Sequence, residues 1–184
     1  HDALRRLIED VLRRPTGDFE ATLLDELVLD DVLVYLAALA VLQSHDNVRK
    51  NYYLHRDPTT AEGWRIVPWD LDLTFGHLYT EENDVRDERI FVDADPFVGR
   101  LADGEVGPFN QLNDRLLDLP ELRTRFLAMA RRIAGSVAAG ELVDEHLTWV
   151  TCRAQLDLLT DERKRATNDE YLGRLDEVRA FTSD

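Results

Sequence analysis

The chain has 184 residues and sets 37 aspartates and glutamates against 22 lysines and arginines, a formal charge of −15. That surface repels nucleic acid and favours a multivalent cation, or a phosphate compound carrying one. The longest apolar run, Val32 to Leu42, is 11 residues, well short of the ~20 that a membrane span needs. One cysteine, Cys152, excludes an internal disulfide and a thiolate metal site.

The length suits one domain, and residues 1–184 are read as a single domain with enough apolar residues for a core. The first residue is His1, which reads as an excised or processed piece. Leu4, Leu7, Ile8, Val11 and Leu12 recur at helical spacing over residues 2–14, until Pro15 and Gly17 break the pattern. A short helix is expected over 18–27, with Asp18 as a cap. Asp30 or Asp31 then caps a helix that is apolar all round and therefore buried, ending near Gln43 or Ser44.

Residues 51–55 and 63–69 are aromatic and extended in character. The turn-forming stretch Asp57-Pro58-Thr59-Thr60-Ala61-Glu62 lies between them, which predicts a β-hairpin. No periodicity is visible from His77 to Gly107. Residues 81–105 hold nine acids and three arginines, as a functional loop or a merely solvated one would. Helices are expected over 109–117, 120–135, 141–160 and 168–181. Leu122, Phe126, Met129, Ile133, Leu142, Leu147 and Val150 supply core contacts. Cys152 reads as a plain buried thiol. The histidines are scattered and form no metal site.

Two segments carry chemistry. The first is Ser44-His45-Asp46-Asn47-Val48-Arg49-Lys50-Asn51-Tyr52-Tyr53-Leu54, which leaves the buried helix. The second is Trp69-Asp70-Leu71-Asp72-Leu73-Thr74-Phe75-Gly76, which follows the hairpin. Read as extended, 69–75 puts Asp70, Asp72 and Thr74 on one face, with Trp69, Leu71, Leu73 and Phe75 on the other. Adjacent carboxylates on one strand face repel unless a cation lies between them. A solvent-facing strand edge would carry them too, but the flanking Trp and Phe argue for a buried strand. Asp46 sits poorly as a plain helix C-terminal residue, because the helix dipole disfavours acids there. Asn51 alone fits a turn. Together Asp46, Asn51, Asp70 and Asp72 offer the oxygen ligands that a hard divalent cation takes. No Walker-type loop, Gly-x-Ser-x-Gly or His-Glu-x-x-His is present.

Asp46-x-x-x-x-Asn51-Tyr52-Tyr53-Leu54, then Trp64, then Pro68-Trp69-Asp70-Leu71-Asp72-Leu73-Thr74-Phe75-Gly76, resembles the CotH family of kinase-like proteins first known from bacterial spore coats. Leu119-Pro120-Glu121-Leu122-Arg123 and the buried helix also look family-like. The resemblance implies an α+β, mainly α-helical fold: a protein-kinase-like C-lobe whose small β-hairpin carries the catalytic and metal loops. It implies an atypical protein kinase that uses ATP with Mg²⁺ or Mn²⁺ to phosphorylate serine in coat or secreted proteins, placing it outside the cell, on its surface or in a spore coat.

By the same resemblance, Asp46 matches the catalytic-loop aspartate that orients the acceptor hydroxyl, and Asn51 the metal-binding asparagine. Asp70 is the first match to the metal aspartate and Asp72 the second. Lys50 is the residue that would touch a phosphate, although kinases usually place that lysine closer to the aspartate. One departure stands out. No Gly-rich loop and no lysine precede Asp46, so the chain reads as a C-lobe without its N-lobe, and as a piece expected to be inactive alone. The alternatives are a non-catalytic coat or cell-surface scaffold with this fold, and a metal-dependent phosphohydrolase.

Overall fold

A computed structural model describes residues 2–13, 15–44, 51–75, 77–79, 85–87, 111–164 and 166–181. Two compact units are present, residues 1–130 and 131–184. The described elements are mainly helical with small antiparallel sheets, the α+β class expected from the sequence.

In the first unit α1 (Asp2–Arg13) is amphipathic and buries Leu7 and Val11. Pro15 stands at the N-cap of α2 (Thr16–Glu26), where its fixed φ and missing N–H cost nothing. Asp18 lies in that helix's first turn and not at its cap. Phe19 and Leu23 of α2 are fully buried. The buried helix is α3 (Leu29–Val41). Its N-cap is Val28, so Asp30 and Asp31 act from the first turn, where carboxylates favour the helix dipole. Val32, Leu33 and Ala37 are fully buried, but Val34 is 46% exposed. The helix is therefore not covered all round, contrary to the sequence reading.

The hairpin forms where expected. Strands β1 (Tyr52–His55) and β2 (Arg65–Pro68) pair antiparallel, with Tyr53 opposite Val67 and Leu54 opposite Ile66. The turn between them is fixed by Asp57, whose carboxylate accepts bonds from the Thr59 N–H (2.8 Å) and hydroxyl (2.6 Å). The base of the hairpin is fastened to the α2–α3 junction. Trp64 N–H donates to the Glu26 carbonyl at 2.7 Å, and Val28 N–H donates to the Trp64 carbonyl at 2.9 Å. This close approach requires Gly63, since a Cβ there would lie 2.7 Å from the Glu26 carbonyl carbon and oxygen and 2.8 Å from the Leu27 nitrogen. Arg65 pairs with Asp31 (2.6 Å) and Glu62 (3.0 Å), and Arg56 with Glu26 (3.3 Å).

A second ribbon, β3 (His77–Tyr79) with β4 (Val85–Asp87), lies where no periodicity was legible. The acidic stretch 81–105 falls outside the described residues except at β4. Helix α4 (Gln111–Asp118) contributes Leu116 and Leu117 to the core. Its Arg115 donates to the carbonyls of Asp10 (3.2 Å) and Val11 near the end of α1. The same guanidinium lies over the Phe19 ring, 3.8 Å from its centre. Burial, reinforced by Asp118 one turn on, raises the Asp114 carboxyl above the usual range. Helix α5 (Pro120–Ala138) begins with Pro at its first position and buries Leu122 and Phe126.

In the second unit the left-handed Gly140 (φ 73°) follows α5 and leads into α6 (Glu141–Thr160). Lys164 caps the end of α6 on the carbonyls of Leu158 (2.7 Å) and Leu159 (3.0 Å). Thr167 and Glu170 form a reciprocal capping box at α7 (Asn168–Phe181). The Thr167 N–H donates to the Glu170 carboxylate at 2.6 Å, and the Glu170 N–H to the Thr167 hydroxyl at 3.2 Å. Cys152 is exposed, not buried as its helical setting implied. Val150, expected in the core, is 41% exposed.

Candidate metal and phosphate site

The hairpin brings its two ends together, and those ends carry the two chemistry-bearing segments. Beyond Pro68 the chain does not continue as a strand. Trp69 N–H donates to the Asn51 carbonyl at 3.0 Å, one step past the last ladder pair. The Asn51 side-chain amide donates to the Asp70 carbonyl at 3.4 Å. Both residues occupy the left-handed region, Asn51 at φ 65° and Asp70 at φ 55°. Asn and Asp tolerate that conformation better than other non-glycine residues, because their short polar side chains bond locally. Two positive-φ residues facing each other therefore turn the chain out of the sheet at one point and expose Asp70.

The alternation expected over 69–75 does not survive this. Leu73 is 3% exposed and anchors the segment, but Trp69 is 59% exposed and Leu71 39%. The period of two is broken by the left-handed turns at Asp70 and at Phe75 (φ 58°). Phe75 is then tied back to the end of α3 by its N–H on the Leu42 carbonyl, 2.6 Å. A bulky residue at positive φ is strained, and this bond together with the buried Leu73 holds it there. Trp69 stands edge-on to Tyr53, with ring centres 5.8 Å apart.

Of the residues singled out in the sequence, Asn51 and Asp70 are in contact. Asp72 lies two residues on, exposed, with no hydrogen-bond or ion-pair partner among the described residues. Asp46 and Lys50 lie outside the described residues. The donor chemistry fits Mg²⁺ or Mn²⁺, since an amide and two carboxylates supply only oxygen. Among the described residues no cluster of three or more His, Cys, Asp or Glu forms a cage.

Nothing in the sequence points to the cavity beside this site. It holds about 390 Å³ between α3, β2 and the 71–74 segment. Its signal was available only as the departure of Val34 from full burial, which spacing cannot show.

A family model described as CotH kinase protein matches residues 1–148 of the 184. The chain belongs to the CotH kinase family, and a kinase-like function goes with that membership. No curated protein and no solved structure matches the chain. No described helix is long and apolar enough to cross a membrane.

Proposed function

We propose that this chain carries the metal-holding and acceptor-orienting residues of a protein kinase that moves the terminal phosphate of ATP to serine hydroxyls of coat or secreted proteins. One observation carries the reading: the Asn51 amide meets the Asp70 backbone at 3.4 Å, with both residues in left-handed turns at the two ends of one hairpin. A plain surface hairpin has no need of two left-handed polar residues set face to face. A site that must hold a cation between two loops does.

In this reading Asp70 and Asn51 hold Mg²⁺ or Mn²⁺, and Asp72 is the second carboxylate. The bound cation supplies the charge that offsets the transferring phosphate. Asp46 orients the acceptor hydroxyl and takes its proton, and Lys50 contacts a phosphate. The formal charge of −15 disfavours free ATP more than its less negative metal complex.

The test is transfer of labelled phosphate from ATP to a serine-rich protein by the protein with Mg²⁺ or Mn²⁺. Asp46→Ala and Asp70→Ala are each expected to abolish transfer. Undiminished transfer in either variant removes the role given to that residue. Release of free phosphate with no acceptor labelled would replace kinase by phosphohydrolase.

A further inference from the structure

We propose that the cavity between α3, β2 and residues 71–74 binds a small, uncharged, largely apolar molecule with one hydrogen-bonding group. This does not rest on the phosphotransfer reading. The cavity holds about 390 Å³, within the range of small-molecule sites. Its wall is mostly apolar, with Val34, Ala38 and Leu39 from α3, Ile66 and Pro68 from β2, and Leu71 beyond the hairpin, and Asp30, Asp31 and Tyr35 of α3 also line it. Two of these, Val34 and Leu71, expose more than a third of their surface, so the cavity is open and lined by apolar groups that a ligand would dry.

The most deeply buried hydroxyl on the wall is that of Ser44. The residue is 3% exposed, and its hydroxyl has no hydrogen-bond partner among the described residues. A buried hydroxyl is ordinarily paired, because burying it unpaired forfeits its bonds to water. Ser44 lines this cavity together with Thr74 and Tyr35, which also carry hydroxyls. A ligand with one donor or acceptor would satisfy Ser44 while its body covers Leu71 and Val34.

The carboxylates lining the cavity are already paired. Asp31 is already answered by Arg65 at 2.6 Å, and Asp30 by Arg125, so no cation is demanded. The acidic surface disfavours an anion. Two fused rings with a hydroxyl fit inside 390 Å³ and present one polar group to Ser44. Because Leu71 lies between Asp70 and Asp72, an occupant would also brace the segment that carries them.

The experiment titrates 2-naphthol and naphthalene into the ¹⁵N-labelled chain and follows amide shifts. We expect saturable shifts at Ala38, Leu71 and Thr74, with 2-naphthol binding about five-fold tighter than naphthalene, the worth of one ordinary hydrogen bond. Ser44→Ala should bring the two affinities together while keeping naphthalene binding. Ala38→Phe, which fills the cavity, should abolish both; Ala38→Leu should weaken both if the larger ring prevents folding. No saturable shift, shifts confined to Trp149 and Leu156 of the second unit, or a preference for 2-naphthol unchanged in Ser44→Ala would each overturn the proposal.

Discussion

Replacing Gly63 by Ala tests how the hairpin is fastened to the helices, and so what positions Asn51 and Asp70. The added Cβ would meet backbone atoms of Glu26 and Leu27 at 2.7–2.8 Å, whereas ordinary contact needs about 3.4–4 Å. Backbone at a helix end cannot swing aside like a flexible side chain. The junction must open by more than half an ångström, loosening the Trp64–Glu26 and Val28–Trp64 hydrogen bonds. Overpacking at ~2 kcal/mol plus about 1 kcal/mol of lost hydrogen bonding gives ~3 kcal/mol. For a chain of this size that lowers the melting temperature by roughly 6–12 °C. Gly135→Ala in α5 is the control, since nothing lies within 4 Å of its Cβ. It should stabilise the helix by about 0.5–1 kcal/mol. Thermal unfolding followed by far-UV circular dichroism separates the two. A Gly63→Ala melt equal to wild type would refute the close approach.

Arg115→Ala should cost about 2 kcal/mol in denaturant unfolding, because charge-assisted bonds to the Asp10 and Val11 carbonyls and the cover over Phe19 go together. The Thr167 N–H, then its hydroxyl, hold the Glu170 carboxyl below its usual value. That cap therefore stabilises α7 fully above the ordinary carboxylate range and is lost as pH falls through the depressed folded value. Carboxyl ¹³C titration should show Glu170 moving back toward its usual value in Thr167→Ala, and an unmoved titration would count against the capping box. Exposed Cys152 should react with a thiol reagent in the folded chain; reaction only after unfolding would contradict its placement.

Helices were legible because apolar spacing, Pro at helix starts and Gly140 at a helix end are local signals. The six helices outside the buried run were expected within a few residues of where they lie. The hairpin was legible for the same reason, through its turn residues and aromatic strands. The conformation of 69–75 was not. Alternating Asp and apolar residues reads as a strand, but left-handed turns at Asp70 and Phe75 are imposed by tertiary contacts to Asn51 and Leu42. Trp69 was expected to be buried for that reason and is exposed. Gly63 gave no signal of its importance, because the constraint comes from Glu26, 37 positions away in the chain. The capping box at α7 was written in the sequence as Thr167-x-x-Glu170 and could have been read there. The site residues themselves were found as residue types at motif spacing, and the contact between Asn51 and Asp70 is what folding adds.

The most direct measurement of the central claim is where Mn²⁺ sits on the ¹⁵N-labelled chain in the presence of ATP. A chain of formal charge −15 attracts cations everywhere, so affinity alone is uninformative and location decides. At substoichiometric Mn²⁺ the amide signals of Asn51, Asp70 and Leu71 should broaden first, and Asp70→Asn should abolish that selectivity. Broadening spread evenly over the acidic surface, or a pattern unchanged in Asp70→Asn, would contradict a metal seat at the hairpin.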